Sequence, residues 1–292
     1  MRIGLIDIDG HNFPNLALMK LSAYYKAQGH EVEMTTPDKA NDFDKGFASK
    51  VFTYTAMPEL PSHFEVGGSG ADIKVKLPEE TEHTCPDYDL YGLDYSLGFL
   101  TRGCIRQCDF CAVPAKEGSI TPHADITEFA RHRDVVLMDN NVLACDHGIR
   151  QIEKIAAMNL RVDFNQGLDA RLIDDSIARL LSKVKWLKPI RLACDSQAMI
   201  PHIRNAVELL RWHNVTPRAY FVYVLVKDID DALERIRFLK GLNVDPFAQP
   251  YRDLTTNAKP TREQHDFSRW VNHKAVFKTV LWEDYKKQNP VF

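Results

Sequence analysis

Three of the six cysteines lie in one short run, Thr101-Arg102-Gly103-Cys104-Ile105-Arg106-Gln107-Cys108-Asp109-Phe110-Cys111. Their spacing, C-x3-C-x2-C, lets a single loop wrap three thiolates around one metal centre. Three ligands cannot complete a structural zinc site, which needs four Cys or His ligands. Soft thiolates suit a 4Fe-4S cluster equally well, and three of them would leave one iron open for a small molecule. The pattern therefore favours an enzyme, and a zinc site completed by a distant residue such as His123 is the alternative.

The residues around these cysteines extend the pattern. Phe110 lies directly before the last cysteine, Gly103 precedes the first, and Ala112-Val113-Pro114 follow the last. This run resembles the cluster loop of the radical S-adenosylmethionine (SAM) superfamily. The resemblance implies that Cys104, Cys108 and Cys111 hold three irons of a 4Fe-4S cluster while SAM chelates the fourth. It also implies that the reduced cluster cleaves SAM to a 5′-deoxyadenosyl radical, which abstracts a hydrogen atom from an unidentified substrate.

An alternation of apolar strands and amphipathic helices follows and must position the cysteine loop. The predicted strands are 95–100, 134–139, 161–164, 190–194, 218–226 and 242–247. Helices are predicted at 147–158, around Ile173–Leu181 and around Val207–Leu210, where apolar residues recur at helical spacing. Strand–helix alternation indicates a parallel sheet with right-handed crossovers. The resemblance implies a partial (β/α)6 barrel of the TIM type over residues 95–255.

Polar residues follow several of these predicted strands. In β/α barrels the active site lies at the carboxyl ends of the strands, so such residues are candidates for binding SAM and substrate. The resemblance, which covers 165–171 and 249–253 and is looser at 139–141, implies a cofactor-binding rim. Its members are Phe110, Asp139, Asn140, Asn141, Gln166, Arg171, Asp195 and Ser196. The alternative is ordinary loop chemistry, since Asp, Asn and Gly also favour turns and helix caps.

The first 80 residues predict a small α/β domain. Strands are expected at 2–8, 30–35 and 51–55, and a helix capped by Asn12 with Pro14 in its first turn. This section resembles the Rossmann-like, cobalamin-binding-like domain that precedes many radical SAM domains. A linker is expected at 81–94, rich in charge and proline where it begins.

One detail bears on cobalamin. Asp9 and His11 match the first two positions of the D-x-H-x-x-G pattern of cobalamin proteins, but Pro14 replaces the glycine. Proline fixes φ and stiffens the turn that would pass beneath the corrin, and the section is short for wrapping a nucleotide tail. We therefore predict that cobalamin does not bind. We expect this section to pack against the barrel mouth, with Asp9 and His11 near the interface.

Composition limits the remaining possibilities. The chain has 292 residues, 45% hydrophobic and 26% charged, with a net charge of −3, so it can bury a core and has no overall basic footprint for nucleic acid. No apolar stretch reaches the roughly 20 residues of a membrane-spanning helix, and the first nine residues do not resemble a secretory signal. Cys85, Cys145 and Cys194 do not form a disulfide framework, and we predict that they pack, as His123 and His147 do. A cytoplasmic protein is expected.

The last section, 256–292, predicts a C-terminal helix. Phe267, Trp270, Val271, Phe277 and Leu281 recur on one face, while its lysines and arginines are expected to be solvated. The resemblance implies an electron donor such as flavodoxin or ferredoxin, and no membrane partner. Two other functions stay open: a cobalamin-dependent methyltransferase or methylthiotransferase-like enzyme, and a redox-sensing iron-sulfur protein without turnover. A zinc-binding interaction module is a third.

Overall fold

A computed structural model describes residues 1–10, 13–215, 220–253, 256 and 258–288. These residues form a mixed α/β protein built on parallel sheets. One four-stranded sheet occupies the N-terminal section, and two further parallel sheets follow it. A short antiparallel pair closes the base of the cysteine loop. In the part of the chain that is described, no helix combines the length and the hydropathy needed to cross a bilayer.

The N-terminal sheet has the strand order β2-β1-β3-β4. Its strands are β1 (Arg2–Asp7), β2 (Glu31–Met34), β3 (Lys45–Ser49) and β4 (Phe64–Gly67). Helix α1 (Leu16–Ala27) connects β1 to β2, and its Leu18 and Leu21 pack against Leu5 and Phe47 of the sheet. The strands predicted at 2–8 and 30–35 are confirmed, and the Rossmann-like relationship of this sheet stays a prediction.

Two expectations for this section are wrong. Helix α1 begins after Asn15, whose side chain accepts a hydrogen bond from Leu18 N at 3.3 Å; the expected cap, Asn12, lies outside the described residues. Residues 51–55 form turns, and the strand lies earlier, at 45–49. That strand was not predicted because Gly46 is not typical of a strand. Glycine is needed for packing at this position, since a Cβ there would lie 2.1 Å from Cζ of Phe64.

The segment between the first sheet and the next is packed rather than extended. It contains helix α2 (Glu79–Glu82) and a 3₁₀ turn at Tyr88–Tyr91. The Tyr88 hydroxyl donates to the carbonyl oxygen of Phe129 at 2.6 Å, and the Tyr91 hydroxyl donates to Asp7 at 3.0 Å. These bonds tie the segment to both neighbouring sections. The predicted boundaries at 80, 94 and 255 stay predictions.

The second section carries two parallel sheets. The first has the order β10-β9-β8-β5, and the second has the order β11-β12-β13. Their strands are β5 (Ser96–Gly98), β8 (Asp134–Leu137), β9 (Arg161–Phe164), β10 (Lys185–Trp186), β11 (Ile190–Ala193), β12 (Tyr220–Val226) and β13 (Asp245–Pro250), and the antiparallel pair is β6 (Thr101–Arg102) and β7 (Thr121–Pro122). The helices are α3 (Val113–Lys116), α4 (Ile126–Phe129), α5 (Asp146–Ala157), α6 (Asp175–Leu181), α7 (Ile200–Trp212) and α8 (Ile229–Gly241).

All six predicted strands of this section coincide with observed ones. The last begins at Asp245 rather than 242, because α8 continues to Gly241 and Asn243 turns the chain with φ of 54°. The fifth begins at Tyr220 among the described residues, and positions 218 and 219 lie outside them. Strand β10 was not predicted, since Lys185 and Trp186 are too few to give a pattern. The helices predicted at 147–158, 173–181 and 207–210 are observed as α5, α6 and α7.

The two sheets meet without a continuous ladder. Leu168 N, in the loop after β9, donates to the carbonyl oxygen of Arg191 in β11 at 2.8 Å. Among the described residues the strands do not close into a ring. The parallel strands and their helices are therefore observed, and the partial barrel stays a prediction.

The two faces of the β11–β12–β13 sheet differ. Val222, Val224 and Val226 of β12 belong to the main core, together with Ile203 of α7 and Ile236 of α8. The opposite face is half-buried and aromatic. It carries Phe221, Tyr223 and Phe247, whose ring centroids lie 5.0–5.9 Å apart, and also Arg191. This second face is the one that the helices leave accessible.

The C-terminal section forms three helices rather than one. They are α9 (Arg262–Asn272), α10 (Lys274–Thr279) and α11 (Trp282–Gln288). The chain breaks at His273, whose ring nitrogen caps α10 by accepting from Val276 N at 3.4 Å. Helix α9 covers the edge of β13: the Asn272 side chain accepts from Ala248 N and donates to Ala248 O, both at 2.9 Å. A side-chain amide thus takes the place of a further strand.

Candidate functional site

The cysteine loop connects the paired strands β6 and β7. Thr101 pairs with Pro122 and Arg102 with Thr121, so the two ends of the loop are held side by side. Gly103 adopts φ of +80°, and a Cβ there would lie 2.3 Å from the carbonyl oxygen of Ser119. Only glycine fits this close approach. The glycine before the first cysteine is therefore required by the local geometry.

The three thiols of the loop are half-buried. Cys104 Sγ accepts hydrogen bonds from Arg106 N and Asn141 Nδ2, both at 3.4 Å, and Cys111 Sγ accepts from Val113 N at 3.5 Å. Burial raises the pKa of the Cys108 thiol, the other two thiols raise it further, and Arg171 opposes them. The three sulfurs thus lie within electrostatic reach of one another and of a cation.

The thiols do not form a ready metal cage. Within the described ranges, no group of three or more Cys, His, Asp or Glu side chains stands close enough together to hold a metal ion. The donors nevertheless fit an iron-sulfur cluster, because soft thiolates that accept N–H bonds are its usual environment. The assignment of Cys104, Cys108 and Cys111 as iron ligands stays a prediction.

Asp139 lies at the base of the cysteine loop, beside Leu100 and Thr101. It is buried, and its carboxylate accepts from Leu100 N at 3.1 Å and from Thr101 N and Oγ1 at 2.6 and 2.7 Å. Burial raises the pKa of Asp139 to about 6, although these hydrogen bonds oppose the shift. Asp139 thus fixes the start of the loop, and the cofactor contact that the resemblance implied for it stays a prediction.

Asn140 is tied to the same loop through Glu117. The Glu117 carboxylate accepts from Gly103 N at 2.8 Å and from Asn140 Nδ2 at 2.9 Å, and it pairs with Arg102 at 3.1 Å. The loop end and the end of β8 are therefore linked by one acid. Sequence reasoning missed Glu117, and its position just before the glycine that closes the loop is a weak signal.

Asn141 lies in the middle of a second network. Its Nδ2 donates to Cys104 Sγ and, at 3.2 Å, to Asp169. Asp169 also accepts from Arg106 Nε at 3.0 Å and Arg171 Nε at 2.7 Å. Burial would raise the pKa of Asp169, but the two arginines outweigh it and lower that pKa. Asp169 thus joins the cysteine loop to the loops after β8 and β9.

One buried polar atom of this network has no hydrogen-bond partner. Asn141 is only 3% exposed, and its Oδ1 has no hydrogen-bond partner. A buried carbonyl oxygen without a donor is costly, by roughly 1–3 kcal/mol, unless something else binds it. It lies on the same amide group that donates to Cys104. An N–H or O–H donor of a ligand beside that cysteine would satisfy it.

The remaining predicted rim residues differ in burial and in their contacts with the cysteine loop. Asp195 is half-buried and accepts from Leu225 N at 3.1 Å; burial raises its pKa, and its charge and that of Arg171 both act on Cys108. Phe110 is half-buried in the loop, whereas Gln166 and Ser196 are exposed. The structure therefore gathers Asn141, Arg171 and Asp195 around the thiols. It does not bring Gln166 into that network.

Asp169 and Arg106 were missed as site residues. Asp169 lies in the run Asn165–Arg171 from which Gln166 and Arg171 were chosen. Charge complementarity is the signal that could have identified Asp169. It is an acid in a loop next to Arg171, and the cysteine loop that it contacts carries Arg106. Deeper along the same side, Asp163 of β9 pairs with Arg191 of β11.

The three cysteines outside the loop, and also His123 and His147, pack or form hydrogen bonds in other parts of the protein. Cys194 is buried, and burial raises its pKa to about 12. Cys85 packs beside the apolar cluster of Met19, Tyr88 and Leu97. His123 contacts Glu82 at 3.2 Å, and His147 contacts the carbonyl oxygen of Ala124 at 3.0 Å. Cys145 is half-buried at the start of α5. The expectation that Cys194 packs is confirmed.

The cobalamin-like motif can be followed only in part. His11 lies outside the described residues. The Asp9 carboxylate accepts hydrogen bonds from Val51 N, Phe52 N and the Thr55 hydroxyl, so it braces the loop after β3. The absence of cobalamin binding stays a prediction.

Comparisons with known proteins add little to this geometry. No protein-family model matches the chain, and a comparison with curated proteins finds no match. Among solved structures, the crystal structure of Streptococcus suis SuiB is similar at a TM-score of 0.42 and 12% sequence identity, covering 68% of this chain and 47% of that chain. The chain thus spans less than half of the SuiB chain. A likeness at this level shows neither family nor function.

Proposed function

We propose that this protein is a radical SAM enzyme whose substrate is unidentified. The observation that carries the proposal is the three-cysteine loop lying beside a buried, unpartnered amide oxygen, Asn141 Oδ1. We further propose that the parallel strands form a partial (β/α)6 barrel and that the N-terminal sheet is a small Rossmann-like domain. Flavodoxin or ferredoxin in the cytoplasm would supply electrons.

Cys104, Cys108 and Cys111 would hold three irons of a 4Fe-4S cluster. When bound, a reduced cluster of this kind would supply the electron for reductive cleavage of SAM to methionine and a 5′-deoxyadenosyl radical. Arg106 N and Asn141 Nδ2 donate hydrogen bonds to Cys104 Sγ. The charge of Arg171 opposes the rise in the pKa of Cys108 that burial causes.

The residues around the thiols have complementary tasks. Asn141 Oδ1 is an acceptor for an N–H of the cofactor, such as its ammonium group. Asp195 offers carboxylate oxygens suited to ribose hydroxyls. Asp169 fixes Asn141, Arg106 and Arg171 relative to one another, so it is a positioning residue. The half-buried face with Phe221, Tyr223 and Phe247 offers aromatic surface against which a substrate would pack.

Product analysis tests the proposal. After anaerobic reconstitution with iron and sulfide, the protein with dithionite and SAM should release 5′-deoxyadenosine and methionine, slowly in the absence of substrate. Cys104→Ala should release neither, whereas Cys85→Ala, which removes a half-buried thiol outside the loop, should behave as the wild type. Intact SAM after prolonged incubation with wild type, or a protein that retains zinc and no iron, would overturn the proposal.

A further inference from the structure

Two aromatic rings stand exposed on the loop after β3. Tyr54 is 62% exposed and Phe52 is 37% exposed. Their ring centroids lie 5.1 Å apart with an interplanar angle of 15°, so they are stacked in parallel. Large rings at a surface cost free energy in water. A parallel pair with accessible rings is the arrangement on which a further flat ring can stack.

The loop that carries these rings is firmly built. Asp9 accepts from Val51 N, Phe52 N and the Thr55 hydroxyl. On the other side Gly70 N donates to Lys50 O at 2.9 Å, and a Cβ on Gly70 would lie 2.6 Å from the Phe52 backbone. The rings are therefore held in place before any ligand arrives. Binding to a preorganised surface loses little conformational entropy.

One cation lies over the Tyr54 ring, and a second lies beside the neighbouring Tyr251. The Arg252 guanidinium carbon lies 5.0 Å from the Tyr54 ring centroid, and Lys227 Nζ lies 5.2 Å from the Tyr251 ring centroid. Lys227 follows β12 and Arg252 follows β13, so both lie at the carboxyl edge of that sheet. Asp195 follows β11 at the same edge. The Tyr54 loop, itself at the carboxyl end of β3, thus meets the edge that bears the candidate site.

We propose that Phe52 and Tyr54 bind the base of a nucleotide, with Arg252 and Lys227 facing its phosphate. Flat rings suit a base because every base has a π face, and cations suit a phosphate. The net charge of −3 argues for one nucleotide unit rather than a long nucleic acid tract. The inference rests on the proposed function only in taking this nucleotide as the substrate, or as part of it.

Calorimetric titration of the reconstituted full-length protein, without reductant, tests the binding. The probes are the four common ribonucleoside 5′-monophosphates and the matching nucleosides. At least one monophosphate should bind, and Tyr54→Ala should weaken it about tenfold, the typical effect of removing one stacking ring. Arg252→Gln should weaken the monophosphate but not the nucleoside. Trp212→Ala, which removes a ring 79% exposed on α7, should change nothing.

Three results would overturn the inference: no monophosphate binds, binding is unchanged in Tyr54→Ala, or SAM competes for the same site, which would assign the rings to the cofactor. A failure of the proposed function is distinguishable, because these titrations need no SAM cleavage. If Cys104→Ala retained nucleotide affinity and wild type cleaved no SAM, the nucleotide site would stand and the radical chemistry would fall.

Discussion

Two regions of the molecule gather charged and polar side chains, and they differ in how completely those groups are satisfied. The first region, here the Glu82 network, lines a small pocket between α1, α2 and α4. Glu82 contacts Lys20 at 2.9 Å and His123 at 3.2 Å, while His83 contacts Glu128 at 2.9 Å. Glu128 also caps α4 through Asp125 N at 2.7 Å. Every one of these groups has a partner within the network.

The second region, here the Cys104 network, contains the cysteine loop with Asn141, Asp169 and Arg171. Beside the three thiols, and among the residues that the structure describes, it leaves one buried amide oxygen without a donor. A network that satisfies itself stabilises the fold, whereas a network with an unmet acceptor is prepared for a ligand. The difference predicts that mutations in the first region lower stability and mutations in the second lower ligand affinity.

The largest expected effect is on stability, in the Glu82 network. Glu82→Gln removes the charge that faces the buried Lys20 amine, so we expect the free energy of unfolding to fall by about 3 kcal/mol. Thermal and urea unfolding measure it. SAM affinity should not change.

Glu79→Gln is the matched control, because Glu79 also pairs with a histidine, His83, at 3.3 Å, but its side chain is 91% exposed. Exposed pairs contribute little, at most about 1 kcal/mol. Equal losses in the two variants would show that burial does not distinguish them. A loss of SAM affinity in Glu82→Gln would erase the contrast between the two regions.

A smaller effect is expected on SAM binding in the Cys104 network. Asn141→Ala removes the unpartnered oxygen, so SAM affinity should fall about tenfold while the visible absorption of the cluster is retained. Equilibrium binding to the reconstituted protein measures it. Gln166→Ala is the control: the sequence pattern grouped Gln166 with Asn141, but the structure leaves it exposed. If Gln166→Ala lost more affinity than Asn141→Ala, the network would be assigned wrongly.

The last two effects are on the pH dependence of stability, and they have opposite signs. Burial would raise the pKa of Glu82, but hydrogen bonds from His123 and Lys20 lower it to about 2 from 4.5. Its contribution is therefore present above pH 4.5 and lost as pH falls below it. Burial raises the pKa of Asp139 from 3.8 to about 6, so its protonated form is favoured in the folded state. The contribution of Asp139 is present below pH 4 and lost as pH rises through 6.

Urea unfolding at several pH values separates the two. Between pH 4.5 and 6 the wild type should lose stability with rising pH relative to Asp139→Asn, by at most about 1.4 kcal/mol per pH unit. Below pH 4.5 it should lose stability with falling pH relative to Glu82→Gln. Parallel curves for wild type and Asp139→Asn would contradict the burial of a charged carboxylate at the loop base.

The sequence predicted six strands of the second section because each is a compact apolar run between polar loops. It grouped the three cysteines because their spacing is local, and their role as iron ligands stays a prediction. It could not predict strand 45–49, because Gly46 interrupts the apolar pattern. The glycine is needed there to leave room for the ring of Phe64, which is distant in sequence. Nor could it predict that Glu117 would join Gly103 to Asn140, since those partners meet only after the β6–β7 pair forms. The tail likewise broke into three helices at His273 and at 280–281, where no proline or glycine marks the breaks.

The same reasoning explains why the eight predicted rim residues differ in their contacts. Eight residues were grouped because they follow strands or flank the cysteines, but the direction of a side chain after a strand depends on its partners. Asp139 turns toward Leu100 and Thr101 and becomes part of the loop base. Asn141 turns toward Cys104 and keeps a free oxygen. Neighbouring positions of the same loop thus do different work.

The central claim is that three thiolates hold a cluster whose open iron binds SAM. The electron paramagnetic resonance spectrum of the dithionite-reduced, reconstituted protein, recorded with and without SAM, tests it most directly. We predict the signal of one reduced 4Fe-4S cluster per chain, with g-values that shift when SAM is added, and no such signal in Cys108→Ala. A cluster signal that SAM leaves unchanged would favour the redox-sensing alternative, and a protein with zinc and no cluster signal would contradict the account altogether.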